Sequence, residues 1–442
     1  MIRTAASIRS RRSRPAAPDR PAPDLSGRDL AVDGVRVFCV LMVVVAHLLM
    51  VGVGVDASGA LTISKPVTEQ SWFPLATWFG QVMPLFFVLG GFASLTAWRS
   101  SQRRGATGAD YVRTRVVRLM RPTVPVFAFF SVVIIGALVA GAPASLVAGV
   151  AQGVGTPLWF LAAYLLCQWC VPLMARLHER APVRALVALA ASALLVDAVR
   201  VATGVEAVGL VNVLFVWFFV QQLGFLYADG VVLRASRGVL AGVAAASLAL
   251  LGAGVAAGLY SPDMLTNQYP PLFALGLLGI AQLCVLALLH PALTALMRTR
   301  AAQALTFAVG SRLMTVYLWH LTCIIAVTGI CLLLPLPLPA PGSAAWWATR
   351  PLVLAAALVL VAVLSLVLVR FERAPAADPV RTRRPAAWRV QLAVLLAAAP
   401  PFLIMCFGLN AALAVFGLVG AVGALLLCRP GRVTAPAPIA QA

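Results

Sequence analysis

The sequence predicts an all-α integral membrane protein with about twelve transmembrane helices: a ten-helix core, a C-terminal helical hairpin, and both termini in the cytoplasm. Three observations carry this prediction. Of 442 residues, 62% are hydrophobic and 11% are charged, whereas a soluble domain has about 25% charged residues and is about one half apolar. The apolar residues fall in blocks of about 18–25, long enough to cross a hydrocarbon core at about 1.5 Å per residue. Lys and Arg collect between those blocks. A single soluble core stops growing beyond roughly 250–300 residues, so this much Leu, Val and Ala requires lipid as its solvent.

Each element follows from composition and length. Residues 1–27 are rich in Arg, Pro, Ala and Ser and read as a disordered basic arm. They do not read as a cleavable signal peptide, because the apolar run that follows is too long and no Ala-x-Ala site comes after it. A first span is expected from about Val32 to Val55 and a second from about Trp72 to Trp98, separated by a polar loop holding Asp56, Lys65 and Glu69. A basic block follows, Arg99 through Arg121. Further spans are expected at roughly 122–142, 156–175, 183–202, 208–228, 238–259, 271–290, 305–333 and 351–369. Together these form a membrane domain over 28–370, joined by a basic cytoplasmic linker at 371–390 to a hairpin at 391–428, with a short tail at 429–442. The hairpin is expected to turn near Asn410. With the arm placed in the cytoplasm and the spans alternating, only Lys65, Arg200 and Arg350 of the 34 Lys and Arg residues fall on the outside, as the positive-inside rule requires.

The net charge of +20 does not point to nucleic acid, since no reading module is visible and the arginines flank spans. The expected partner is the lipid bilayer. The eight cysteines lie almost entirely in apolar blocks without metal-ligand spacing, so neither a metal site nor a disulfide framework is expected.

Ionisable residues inside spans are functional candidates by default. Arg36 and His47 are eleven residues apart in the first span, which is three helical turns plus roughly 20°. They therefore share a face, separated by about 16 Å along the axis. Asp33 lies one turn before Arg36 on that face. An arginine near the inner surface can fork onto phosphate, and an imidazole can act as general base on a hydroxyl. The plain alternative is that Arg36 snorkels to the interface and His47 is a satisfied interhelical hydrogen-bonder. A second cluster, Arg312, Tyr317, Trp319 and His320, sits in the ninth span, with Tyr317 and His320 one turn apart. Arg118 and Arg121 share a face beside Pro122 and form a candidate phosphate cradle. His178 and His290 lie at span ends and read as structural.

These motifs, in this order, resemble the acyltransferase 3 family of bacterial multi-span membrane O-acyltransferases over roughly 28–370. Arg36, ten residues and then His47 are similar to its first-helix signature. Met83 to Phe92 resembles its Phe-Phe-x-x-Ser-Gly-Phe segment, with Gly90 in the serine position. Arg118-Leu119-Met120-Arg121-Pro122 is similar to its basic loop, Trp159-Phe160-Leu161 with Tyr164 to its fourth-span motif, and Tyr317-Leu318-Trp319-His320 to its late Tyr-Leu-x-His. Leu313-Met314 stands where the family carries Ser-Tyr. The resemblance implies transfer of an acyl group, commonly acetyl, from cytoplasmic acyl-CoA as co-substrate, with no bound cofactor, to a carbohydrate or glycolipid hydroxyl outside the plasma membrane. It assigns Arg36, Arg118 and Arg121 to the CoA phosphates and His47 with Arg36 to catalysis. Asp33, Trp159, Tyr164, Tyr317 and His320 are expected to line the cavity. Direct transfer and an acyl-histidine intermediate both remain open. The competing expectation is a transporter or flippase of a glycan precursor or small solute, with Asp197 its clearest intramembrane carboxylate.

Overall fold

The computed structural model describes residues 29–55, 61–334, 338–372 and 382–432. The arm at 1–27, residues 373–381 of the linker and the tail from 433 lie outside the described residues. The described chain is helical almost throughout. Eleven segments are long and apolar enough to cross a membrane, and a further apolar helix of 17 residues completes the C-terminal hairpin.

The first helix, α1 (Leu30–Leu49), starts on Asp29, whose carboxylate accepts from the Ala31 and Val32 N–H groups. The same carboxylate takes the Tyr227 hydroxyl at 3.2 Å and faces His290 Nε2 at 3.4 Å. One residue thus caps the helix and ties its start to two neighbours, which fixes the height of Arg36 and His47. α1 ends six residues before the expected Val55. Gly52 and Gly54 alternate with valine there, and the chain leaves the helix for a strand, Gly52–Val55, paired antiparallel with Leu61–Ser64. Glycine is a poor helix former, and a period of two suits a strand.

The second span is broken at Gln81–Val82 into α2 (Phe73–Gly80) and α3 (Met83–Arg103). Pro84 therefore opens α3, where its missing N–H costs nothing, and does not kink a helix interior. α4 (Gly108–Val139) begins fourteen residues before the expected start at 122. Thr107 and Asp110 form a reciprocal capping box, and this local signal starts the helix upstream of the arginines. Arg113, Arg115, Arg118 and Arg121 consequently project from a helix and not from a loop.

α5 (Ala144–Gly155) leads through a 3-10 turn into α6 (Trp159–Arg180). α7 (Pro182–Thr203), α8 (Asn212–Ala228), α9 (Arg237–Ala256) and α10 (Ala274–Leu296) follow close to their expected bounds. The expected ninth span divides into α11 (Arg300–Gly310) and α12 (Leu313–Leu333), with the break at Ser311–Arg312. α13 (Ala344–Glu372) closes the family-like core. The hairpin is α14 (Ala387–Phe407) and α15 (Ala411–Leu427), with Asn410 accepting from Leu413 N–H as the cap of α15. It packs on α4 and α6 and so joins the bundle directly.

α3 and α8 form the tightest seam. A Cβ on Gly91 would meet the Gln221 carbonyl oxygen at 2.2 Å, and one on Gly224 would meet that of Val88 at 2.0 Å. Glycine on both sides lets the two backbones touch. A buried polar network braces the same region, with Tyr111 donating to Gln168 (3.0 Å) and Gln168 to Ser94 (2.7 Å), linking α4, α6 and α3. His178 takes a similar structural part. Its Nε2 lies 3.0 Å from Asp229, which also accepts from Arg99 at 2.6 Å. Burial works to raise the Asp229 carboxyl, but the Arg99 and His178 hydrogen bonds outweigh it and hold the group below the usual carboxylate range.

Candidate functional site

A cavity of about 850 Å³ opens among α1, α3, α4, α6, α11 and α12. Part of its lining is cationic. Arg36 of α1, Arg115 and Arg118 of α4, and Arg300 of α11 line it, against only two carboxylates, Asp33 and Glu372. Among the described residues no ion pair ties Arg36, Arg118 or Arg300. The Nε atoms of Arg36 and Arg115 are buried without a hydrogen-bond partner. Glu372 is occupied elsewhere, accepting from the Thr315 N–H and hydroxyl at the start of α12. Four guanidinium groups around one cavity, with so little opposing charge, form a site for a polyanion.

Another part is aromatic. Phe86, Phe160, Tyr164 and Tyr317 line it. Phe160 lies edge-on to Tyr317 (ring centroids 5.0 Å) and stacks on Tyr164 (5.2 Å). The Tyr317 hydroxyl donates to the Pro157 carbonyl, which pins this ring at the cavity's end.

One turn beyond Tyr317 lies the histidine pair. His47 Nδ1 is 2.8 Å from His320 Nε2. His320 is buried, and its Nδ1 is 2.8 Å from the Tyr317 carbonyl and 3.2 Å from that of Val316. A carbonyl only accepts, so His320 Nδ1 carries the proton. In the neutral ring Nε2 is then the acceptor, and His47 Nδ1 must donate to it. His47 is left with its lone pair on Nε2. A backbone carbonyl thus sets the tautomer of two imidazoles in series, and the outcome is one basic nitrogen at a fixed place on α1.

Five of the expected site residues, Asp33, Arg36, Arg118, Tyr164 and Tyr317, meet on the cavity. Four others, His47 among them, lie off its lining. Arg121 turns toward α13, donating to the Arg370 carbonyl at 3.2 Å. Trp159 packs behind the wall against Trp217 and Tyr269, at 5.5 Å in each case. His320 stands behind Tyr317 as the partner of His47. Arg115, Arg300 and Glu372 line the cavity without having been singled out in the sequence. Arg115 is three residues from Arg118 and could have been found by the same-face spacing. Arg300 precedes the expected ninth span, and Glu372 follows the expected tenth. Asp197 accepts from Asn212 Nδ2, Tyr260 hydroxyl and Phe273 N–H. That is a structural junction of helix ends, with three hydrogen bonds already made to the carboxylate.

Comparison with known proteins agrees with this geometry. A family model described as an acyltransferase domain matches residues 29–370. No curated protein and no solved structure matches the chain. The chain belongs to the acyltransferase 3 family and is a multi-pass membrane acyltransferase.

Proposed function

We propose that this acyltransferase carries an acyl group, acetyl in the simplest case, from cytoplasmic acyl-CoA to a hydroxyl of a carbohydrate or glycolipid outside the plasma membrane. One observation carries the proposal. A single helix, α1, holds a guanidinium in a cationic cavity at Arg36 and an imidazole with one free basic nitrogen at His47, about 16 Å further along. An extended pantetheine arm covers such a separation. The diphosphate end of the donor is held by Arg36, Arg115 and Arg118, and the thioester reaches past Tyr317 toward the histidines.

The chemistry follows from the tautomer. The acceptor hydroxyl donates its proton to His47 Nε2 while its oxygen attacks the thioester carbonyl. The resulting imidazolium is supported by its Nδ1–H bond to His320 Nε2, a neutral acceptor. The tetrahedral intermediate collapses, the carbon–sulfur bond breaks, and the CoA sulfur leaves with the proton returned from His47. An ester and a free thiol result, with no net change in protons. The surrounding apolar residues exclude water, which would otherwise compete with the acceptor for the thioester.

The test uses the purified full chain in liposomes with labelled acetyl-CoA and an extracted surface glycan as acceptor. His47→Ala should lower transfer by about 10²–10⁴-fold while leaving donor binding close to wild type. Undiminished transfer would reject the general-base role. Mass spectrometry of surface glycans from cells with and without the gene identifies the acceptor by the ester that disappears.

A further inference from the structure

α11 is unusual among the helices of this bundle. It has no buried residue, yet it is flanked by α1 and α12 and contributes Arg300, Gln303, Ala304, Phe307 and Gly310 to the cavity lining. Their spacing of three and four places them on one face of the helix. At about 100° per residue Phe307 lies near the middle of that face, while Ala301, Leu305, Ala308 and Val309 lie on the opposite arc. The Phe307 ring therefore lies on the cavity side of α11, and it is 73% exposed. A large apolar ring so exposed in a cationic cavity is costly in water. It becomes favourable once a flat apolar surface covers it.

The neighbours define what that surface is. Arg300 lies one helical face-length before Phe307 and faces the same space as Arg36, Arg115 and Arg118. Gln303 lies between them. Its amide NH₂ donates to the Met297 carbonyl at 2.9 Å, which fixes the side chain and leaves its carbonyl oxygen as an acceptor for an exocyclic amine. Both ends of the α11 segment rest on α1. A Cβ on Gly34 would meet Sδ of Met297, the cap of α10, at 2.8 Å, and one on Gly310 at the end of α11 would meet Val37 Cγ2 at 3.7 Å.

We infer that the inner face of α11 is a nucleotide-base site, in which Phe307 stacks on a heteroaromatic base, Gln303 accepts from its amine and Arg300 binds a phosphate on the attached ribose. On the acyl-CoA reading above, on which this rests, the ligand is the adenine nucleotide of CoA. The base then covers Phe307, and the cavity's guanidiniums take its phosphates. α11 selects the carrier of the acyl group, while the aromatic part of the lining receives the acyl arm.

The experiment compares two donors in liposomes containing the full chain: acetyl-CoA, and acetyl-N-acetylcysteamine, a thioester with no nucleotide. Phe307→Ala should raise KM for acetyl-CoA by roughly 5- to 150-fold, the range for losing one base–aromatic stack. KM for the short thioester should not move, and Phe307→Trp should restore the wild-type value for acetyl-CoA. Arg300→Ala provides a second, independent variant and should raise KM for acetyl-CoA by about tenfold or more. An unchanged KM for acetyl-CoA in Phe307→Ala, with wild type active on that donor, overturns the base site. So does an equal rise for both donors, since α11 would then shape only the thioester path. Competition by adenosine 3′,5′-bisphosphate separates the two proposals. If wild type uses no acetyl-CoA yet binds the bisphosphate, and loses that binding in Phe307→Ala, the base site stands and the donor assignment falls. If it neither uses acetyl-CoA nor binds the bisphosphate, both fall.

Discussion

The two ends of α1 solve opposite problems. At Arg36 the helix faces an open cavity, with four arginines and little opposing charge. At His47 it faces a packed interior, where one imidazole is held by another and that one by a backbone carbonyl. On the proposed function, the first end needs room and positive charge for a charged donor to enter and leave, and the second needs a single proton position and no water for a thioester to be transferred and not hydrolysed. Tyr317 and Phe160 line the cavity and neither histidine does, so one helix carries both a cationic cavity wall and an imidazole outside that lining.

This contrast can be broken from either end. Disruption of the histidine pair should have the largest effect. In His320→Phe the His47 imidazole loses its partner at 2.8 Å. The expected result is a fall of about a hundredfold in kcat, with KM for acetyl-CoA little changed. A matching rise in KM would show that His320 supports the cavity and not the base. Next in size is Arg118→Ala at the open end, where loss of a charged hydrogen bond should raise KM for acetyl-CoA by about tenfold or more with kcat near wild type. The smallest effect belongs to Arg121→Ala. Arg121 is adjacent in motif but turned to the Arg370 carbonyl, so a change in KM below about threefold is expected for a side chain off the site. Equal effects at Arg118 and Arg121 would mean that the donor reaches past the cavity described here.

The sequence was most informative where a single helix carries the information. The Arg36–His47 face is an expectation from spacing alone, and one uninterrupted helix, α1, carries both residues. Arg118 and Tyr317 were legible for the same reason. Boundaries were less so. Thr107 and Asp110 start α4 ahead of the arginines, a short polar signal outweighed in the reading by the long apolar run behind it. α11 was merged into the following span because its outward face is apolar and its break from α12, at Ser311–Arg312, contains neither proline nor glycine at the turn itself.

Composition and span length determined the membrane class and the approximate number of crossings, because a hydrocarbon layer imposes a length on every helix independently of its neighbours, and the order of short motifs pointed to the family. The tertiary structure decided what meets what. His47 and His320 are 273 positions apart, Trp159 and Tyr164 come from one motif yet only Tyr164 reaches the cavity, and Arg118 and Arg121 part company within one turn. Such pairings depend on which glycines let helices approach and which faces they then share. That information is distributed over several helices at once and has no period along the chain.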